Sequence, residues 1–323
     1  MSKAIQWGIL GAAKFARQFM GPAIHAASGA QLAALATSDP TKAEAFQAFC
    51  PNLRIHDSYD ALLADPEIDV VYIPLANHMH VEWTLKALAA GKHVLCEKPI
   101  TLREAVFDDL IAARDAAGRL AAEAYMIVHH PQWQRTRDMV QGGAIGALRH
   151  VTGAFSFDNR DMANIRNQAA TGGGGLRDIG VYVFGSARFV TGQEPLELSA
   201  RIDWEKGVDT FAEVQAQFDG FTYNAYTSIR MHPYQEMCFH GEEGLIRLTA
   251  PFNANVYGEA RIEWHKPDLA VETYRYPAAN HYILQVEAFC RSVRDGVAYP
   301  CPLEFSRGTQ AMIDQALLSG KKT

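Results

Sequence analysis

Hydrophobic and polar positions along this chain fall into two regimes. Over the first 124 residues short apolar runs alternate with amphipathic stretches of roughly ten to fifteen residues. The runs AIQWGIL (4–10), QLAALAT (31–37), VVYI (70–73), HVLCE (93–97) and LAAEA (120–124) read as strands. The stretches between them read as helices over 13–27, with a bend or interruption expected at Gly21-Pro22, and over 40–50, 81–90 and 103–117. Asp39 before Pro40 is a helix N-cap signal, and Gly91 and Gly118 are C-terminal stops. Strand–helix alternation of this kind predicts right-handed crossovers and a parallel sheet covered on both faces, a doubly wound α/β domain.

The second regime begins between Ala124 and Gly146. After a helical stretch at 132–140, strand-like runs dominate: 150–157, 196–203, 210–218, 222–231, 244–248 and 260–264. Several alternate apolar and polar residues, as in FAEVQAQF and YNAYTSIRM. That period suits an antiparallel sheet with one face buried and the other open to a partner. Helices are expected at 180–190, 282–294 and 305–318. The domains predicted are therefore 1–124, doubly wound, and 125–323, α+β with a large, open, mainly antiparallel sheet.

Composition narrows the function classes. Hydrophobic residues are 48% and charged residues 20%, ordinary for a soluble globular protein. Thirty basic residues against 36 acidic ones give a net charge of −6 with no basic block, which argues against nucleic acid or an anionic membrane as partner. No run approaches the roughly 18 apolar residues of a membrane span. The start MSKAIQWGIL lacks the features of a signal peptide, and the five cysteines are scattered, so a reducing cytoplasm is the expected location. His78 and His80, and the adjacent His129 and His130, come without further ligands at metal-binding spacing, so no metal is expected.

Four segments carry candidate chemistry. Gly8 to Ala16 (GILGAAKFA) closes the first strand and opens the first helix, where free N–H groups would receive a dinucleotide pyrophosphate. Gly11 allows the tight turn, Ala13 lets the backbone approach the phosphates, and Ala16 allows close helix–strand packing. The second strand ends in Thr37 and Ser38, with Lys42 close behind. Two hydroxyls and a cation suit a ribose 2′-phosphate, so NADP is favoured over NAD, since Asp39 is already engaged as a cap. Glu97-Lys98-Pro99 follows a parallel strand, where a lysine can donate to a substrate oxygen, and a cis Lys98–Pro99 bond is expected as an option. Gly172 to Tyr182 (GGGGLRDIGVY) places Asp178 and Tyr182 four apart, on one helix face behind a glycine loop able to run close to a ligand or another chain. A carboxylate and a phenol on one face suit a polyol, and a nearby ammonium such as Lys98 would lower the phenol pKa.

Together these segments resemble the Gfo/Idh/MocA oxidoreductases over essentially the whole chain, in the branch of dimeric dihydrodiol dehydrogenases, NADP-dependent D-xylose dehydrogenases and glucose–fructose oxidoreductase. The stretches 77–99, 123–133, Asn164-Ile165-Arg166 and 284–289 (LQVEAF) carry the resemblance as well. It implies a Rossmann domain followed by a substrate-binding domain whose open sheet mediates assembly into a homodimer or higher homo-oligomer. It implies cofactor binding by Gly11, Ala12, Ala13, Lys14, Phe15, Thr37, Ser38, Lys42, Leu75, Asn77, His80, Glu97 and Lys98. It implies substrate binding by Lys98, Met126, Arg166, Asp178 and Tyr182, with Lys98, Asp178 and Tyr182 catalytic and Tyr182 the acid/base. This sequence departs from the family pattern at Ala13, where glycine is usual, and at Ser38 and Val128, where relatives often carry arginine.

The expected function is hydride transfer between a nicotinamide and a hydroxyl-bearing carbon of a sugar, cyclic polyol or dihydrodiol. The alternatives are a non-catalytic cofactor or sugar sensor of the same fold, and a reductase of a ketone or imine.

Overall fold

The computed structural model describes residues 4–320. They form two compact units, residues 4–129 with 280–306, and residues 130–279 with 307–320.

In the first unit, strands β1 (Ile5–Leu10), β2 (Ala30–Ala36), β3 (Arg54–His56), β4 (Val70–Ile73), β5 (His93–Cys96) and β6 (Ala121–Glu123) pair in the order β3-β2-β1-β4-β5-β6, every pair parallel. This is the doubly wound order with its switch point between β1 and β4. Helices α1 (Gly21–Ala26), α2 (Pro40–Gln47), α3 (Tyr59–Leu63), α4 (His80–Ala89) and α5 (Phe107–Ala117) connect the strands. All four residues of β4 are buried, which is why its sequence is continuously apolar. The Asp39 carboxylate caps α2 by accepting from the Thr41 N–H at 3.0 Å, as read from the sequence, and Gly118 ends α5 in the left-handed region at φ 59°.

The α-helix is interrupted next to Gly21-Pro22: a π turn over Ala16–Met20, in which the Gly21 N–H reaches the Ala16 carbonyl, gives way to α1 at Gly21. The wider turn accommodates the ring and missing N–H of Pro22 without ending the helix. The short β3 and α3 were not anticipated, because three and five residues are too few to show a period.

The second unit contains α6 (Pro131–Gln141) and α7 (Val181–Thr191) against strands β7 (Leu148–Asp158), β8 (Glu197–Glu205), β9 (Val208–Phe218), β10 (Phe221–Ser228), β11 (Arg230–Gly241), β12 (Leu245–Leu248), β13 (Arg261–His265) and β14 (Val271–Arg275). The order is β14-β13-β12-β11-β7-β10-β9-β8; β7 and β10 run parallel and the other neighbours antiparallel. Alternate residues of β9 and β10, among them Ala212, Val214, Tyr223 and Ala225, are buried, as the alternation predicted. Trp133 of α6 packs on Phe252 (6.1 Å between ring centroids) and Phe239 (6.5 Å). The strand expected at 222–231 is two strands: the chain turns at the buried Ile229 and returns as the twelve-residue β11, whose polar run RMHPYQ hid it. β14 was also missed, since its burial alternates only between partial and open.

Helix α8 (His281–Asp295) completes the first unit, setting Phe289 against Trp7 of β1 (5.3 Å). Helix α9 (Leu303–Ser319) contains the division between the units at Ser306.

Candidate active site

The C-terminal ends of β1, β2 and β4 surround a cavity of about 680 Å³ within the first unit. Gly11 leaves β1 at φ +95°, its N–H donating to the Ala36 carbonyl at 2.9 Å. A Cβ there would stand 2.9 Å from Leu75 Cδ2 and 3.1 Å from Tyr59 Oη, so glycine is required by conformation and by space. Gly11, Ala12 and Ala13 form one wall, and the helix starting at Lys14 turns its free N–H groups toward this end. Ala16 is fully buried, as close helix–strand packing requires. The chemistry and shape of this cradle fit a dinucleotide: backbone donors at a helix start for the pyrophosphate, and apolar Leu75 and Trp83 for a flat ring.

Thr37, Ser38, Asp39 and Lys42 line the same cavity. Asp39 accepts from the Thr41 hydroxyl at 2.6 Å, the main influence holding its pKa below the ordinary carboxylate value, and lies 3.7 Å from the Lys42 ammonium. Asp57, Ser58, Tyr59 and Asp60, at the start of α3, line it too and were missed from sequence. Their one legible signal is Ser58 ahead of Leu62-Leu63: the Ser58 hydroxyl accepts from Ala61 N–H at 3.2 Å as a helix cap.

Lys98 leaves the sheet after β5, whose Cys96 pairs with Ile73 at the end of β4. The carboxylate of Glu97 accepts from the Tyr72 hydroxyl at 2.6 Å and from the Lys98 N–H at 3.3 Å. Burial and the Glu97 charge raise the Tyr72 pKa well above the phenol value, keeping it a donor. The Lys98–Pro99 bond is cis. Beyond it the Ile100 N–H donates to Glu123 Oε1 at 2.9 Å. Burial pushes the Glu123 carboxyl up to about 7, against the Ile100 N–H, the Ser306 hydroxyl and the Lys98 cation, which pull it down. Glu123 was read from sequence as part of a strand and as the start of the stretch 123–133, with no role of its own.

In the second unit, a π turn over Leu176–Gly180 precedes α7. Asp178 lies in this turn and Tyr182 in the first turn of α7. Asp178 Oδ2 accepts from Arg166 Nε at 2.6 Å. Tyr182, 6% exposed, has its ring 5.6 Å from those of both Phe155 and Phe252. The glycine loop runs close to its own unit: a Cβ on Gly173 would lie 2.5 Å from the Arg166 carbonyl, and one on Gly174 would overlap the Asp209 carboxylate. Asp209 is 2% exposed, and burial raises its pKa to about 7.

The structure thus brings Gly11, Ala12, Ala13, Thr37, Ser38, Lys42 and Leu75 onto one cavity, and Arg166 and Asp178 into one ion pair. Lys14 is exposed, and Phe15 turns into an aromatic cluster with Phe19 (5.2 Å) and Tyr282 (5.7 Å). Asn77 lies half-buried in a single 3-10 turn, with the buried His80 heading α4 behind it. Met126 and Val128 are buried in the turn after β6. Among the described residues, no group of three or more His, Cys, Asp or Glu is arranged to hold a metal ion, and no helix is long and apolar enough to cross a membrane.

Residues 5–125 match the model of an oxidoreductase family with an NAD-binding Rossmann fold, and residues 133–247 match the GFO/IDH/MocA C-terminal domain. The chain is 34% identical to a dTDP-3,4-didehydro-2,6-dideoxy-alpha-D-glucose 3-reductase of Saccharopolyspora spinosa, over 98% of this chain and 96% of that one. It is 33% identical to an NADP(+) D-xylose 1-dehydrogenase of Haloferax volcanii, over 90% of each. The crystal structure of a 3-ketoreductase from Actinomadura kijaniata with NADP and TDP-benzene superposes with a TM-score of 0.89 at 28% identity, covering 98% of both chains. Fold, cradle and whole-length similarity agree, and the chain belongs to the GFO/IDH/MocA oxidoreductase family.

Proposed function

We propose that this protein is an NADP-dependent oxidoreductase interconverting a hydroxyl-bearing carbon and the corresponding carbonyl on a sugar or related cyclic polyol. The observation that carries the reading is the Gly11 cradle at the β1/β4 switch point, with Lys98 leaving the neighbouring strand end. Similarity to a sugar ketoreductase and a sugar dehydrogenase supports the substrate class. The choice of NADP is supported by Thr37, Ser38 and Lys42 on the cavity wall and by NADP in the ketoreductase structure.

The backbone of residues 11–13 and the helix start behind them would hold the pyrophosphate, and a bound nicotinamide would supply the hydride acceptor or donor. The chain supplies proton handling and orientation. In oxidation Tyr182 Oη takes the substrate hydroxyl proton as the carbonyl forms; in reduction it returns that proton. Lys98 Nζ orients the reacting oxygen and favours the phenolate by its charge. Asp178 accepts from a neighbouring substrate hydroxyl, and Arg166 aims that carboxylate. Copies of the chain pair through the open face of the eight-stranded sheet, which sedimentation of the purified protein checks.

The test is turnover of NADP(H) across a panel of sugars, keto sugars and cyclic diols. Lys98→Ala and Tyr182→Phe each lower kcat by about 10²-fold or more with NADPH affinity retained. Wild-type rates in both variants remove the mechanism. NADPH binding without turnover of any panel member points to a sensor instead.

A further inference from the structure

Arg166 reaches Asp178 from a very short element. Its backbone lies in a single 3-10 turn, Ile165–Asn167, and three residues of that helix type do not hold themselves in place. The position of the turn is set by contacts outside it. Its own loop supplies two: the Asn164 side chain accepts from the Arg166 N–H at 3.1 Å, and the Arg166 carbonyl accepts from the Gly174 N–H at 2.9 Å.

The others pass through Asn167 and Arg230. Asn167 is 3% exposed. Its Nδ2 donates to the carbonyls of Asp161 at 2.8 Å and Asn159 at 3.1 Å, and its Oδ1 accepts from Arg230 Nη2 at 2.9 Å. Arg230 opens β11, paired with Asp158 at the end of β7. Its Nη1 donates to the same Asn159 carbonyl and to that of Ile229, and its Nε donates to Glu205 Oε2, at the end of β8, at 3.0 Å. Arg230, Asn167 and the Asn159 carbonyl therefore close a ring in which two donors share one oxygen. Every guanidinium nitrogen meets an acceptor, in a planar fork that a lysine ammonium does not reproduce.

The far arm of the same loop has a separate anchor, the Asp209 carboxylate that accepts from the Leu176 N–H. The guanidinium of the Arg166–Asp178 pair is carried by the arm that Arg230 holds, and the carboxylate by the arm that Asp209 holds. Their 2.6 Å contact tolerates little drift, since a displacement of about 1 Å takes it past hydrogen-bond reach.

We propose that Arg230, acting through Asn167, is the positioning residue of Arg166 and so a determinant of substrate binding rather than of proton or hydride transfer. Its fork fixes the turn from which Arg166 meets Asp178. The kinetic consequence rests on the substrate-binding reading of Arg166 and Asp178; the state of the loop is readable without turnover.

The experiment combines hydrogen exchange on the full chain with steady-state kinetics on the panel sugar of highest kcat/KM. Arg230→Lys keeps the charge and removes the fork. Amides of residues 164–174 are expected to exchange about tenfold faster in this variant, with those of β9 and α7 unchanged. The sugar KM is expected to rise about tenfold, with kcat and the cofactor KM within about twofold. In an Arg166→Ala background the same substitution is expected to leave the sugar KM unchanged, because its effect runs through that arginine. Unaltered exchange over 164–174, or an equal rise in KM with and without Arg166, overturns the proposal. Asn167→Asp keeps the acceptor for Arg230 and removes both donations; it is expected to reproduce the two effects, and it carries the test if Arg230→Lys does not fold. An unmoved sugar KM in Arg166→Ala itself refutes the substrate reading of Arg166, and the exchange result alone then decides whether Arg230 holds the turn.

Discussion

The backbone N–H of Leu176 donates to Oδ2 of Asp209 at 2.6 Å, so a buried carboxylate from β9 receives the first turn of the helix that carries Asp178 and Tyr182. The glycine run before that helix is shaped by this contact. Gly174 sits at φ +120° against the Asp209 carboxylate, and Gly175 leaves only 3.2 Å for a Cβ facing the same group. A negative group at a helix start is favourable, and here it also fixes where the helix begins.

Gly174→Ala is therefore expected to cost about 3 kcal/mol, the sum of left-handed strain and overlap with a buried side chain. Gly118 provides the control: its φ is +59°, but nothing lies within 4 Å of an added Cβ. Gly118→Ala should cost about 1 kcal/mol, from backbone strain alone. Denaturant unfolding of the two variants measures the difference, and equal losses would show that Asp209 does not constrain the loop.

The same loop shows what the sequence discloses and what it hides. Strand and helix periods made the doubly wound unit and the alternating sheet legible, because each buried face spans enough residues to repeat. The Gly11 turn, the Asp39 cap and the Lys98 strand end were legible because one residue type at one place is dictated by local geometry. Four glycines announced a close approach but not its partner: Asp209 lies 33 residues away from Leu176 in sequence. Glu123 was hidden for the same reason, its contact with Ile100 spanning 23 residues. β11 was hidden because a central strand with exposed residues at its start looks like a loop.

Arg166 and Asp178 meet at 2.6 Å, with side-chain exposures of 37% and 13%. If the arginine aims the carboxylate at a substrate hydroxyl, the two act as a unit. Arg166→Ala and Asp178→Asn should each raise KM, and the double variant should be little worse than the more severe single one. Coupling in kcat/KM of about 1–3 kcal/mol is expected from a double-mutant cycle. Additive losses would mean that the arginine serves the substrate independently or not at all.

Lys42 is the cation on the cavity wall beside Thr37 and Ser38, and Asp39 is already bonded to Thr41. Removing the lysine should weaken binding of a phosphorylated ribose and leave the unphosphorylated one nearly unchanged. Lys42→Ala is expected to raise the Kd for NADPH about tenfold at low salt, with a smaller effect as salt screens the charge. NADH affinity should stay within about twofold, since that ribose presents no phosphate charge. Fluorescence titration with both nucleotides checks this, and equal effects on the two would place the 2′-phosphate elsewhere.

Acid sensitivity follows from three histidines kept neutral by burial. The pKa of His93 falls from 6.5 to about 4, that of His129 to about 3 and that of His130 to about 4, with burial the leading cause in each. Each folded value lies below the unfolded one, so the unfolded chain binds more protons between them. Their stabilising effect is complete above pH 6.5 and is lost as the pH falls toward the folded values. Glu123 and Asp209, both raised to about 7, act in the opposite sense, and their stabilisation is lost as the pH rises through that value. A difference between variants isolates one group from this opposition. His129 Nε2 lies 3.1 Å from the Tyr299 hydroxyl, and a glutamine at 129 keeps a polar partner there while removing the titration. His129→Gln should flatten the dependence of unfolding free energy on pH by about 1.4 kcal/mol per pH unit, one proton fewer taken up, in the interval below the ordinary histidine pKa. Parallel curves for the variant and the parent would mean that His129 is already protonated in the folded chain.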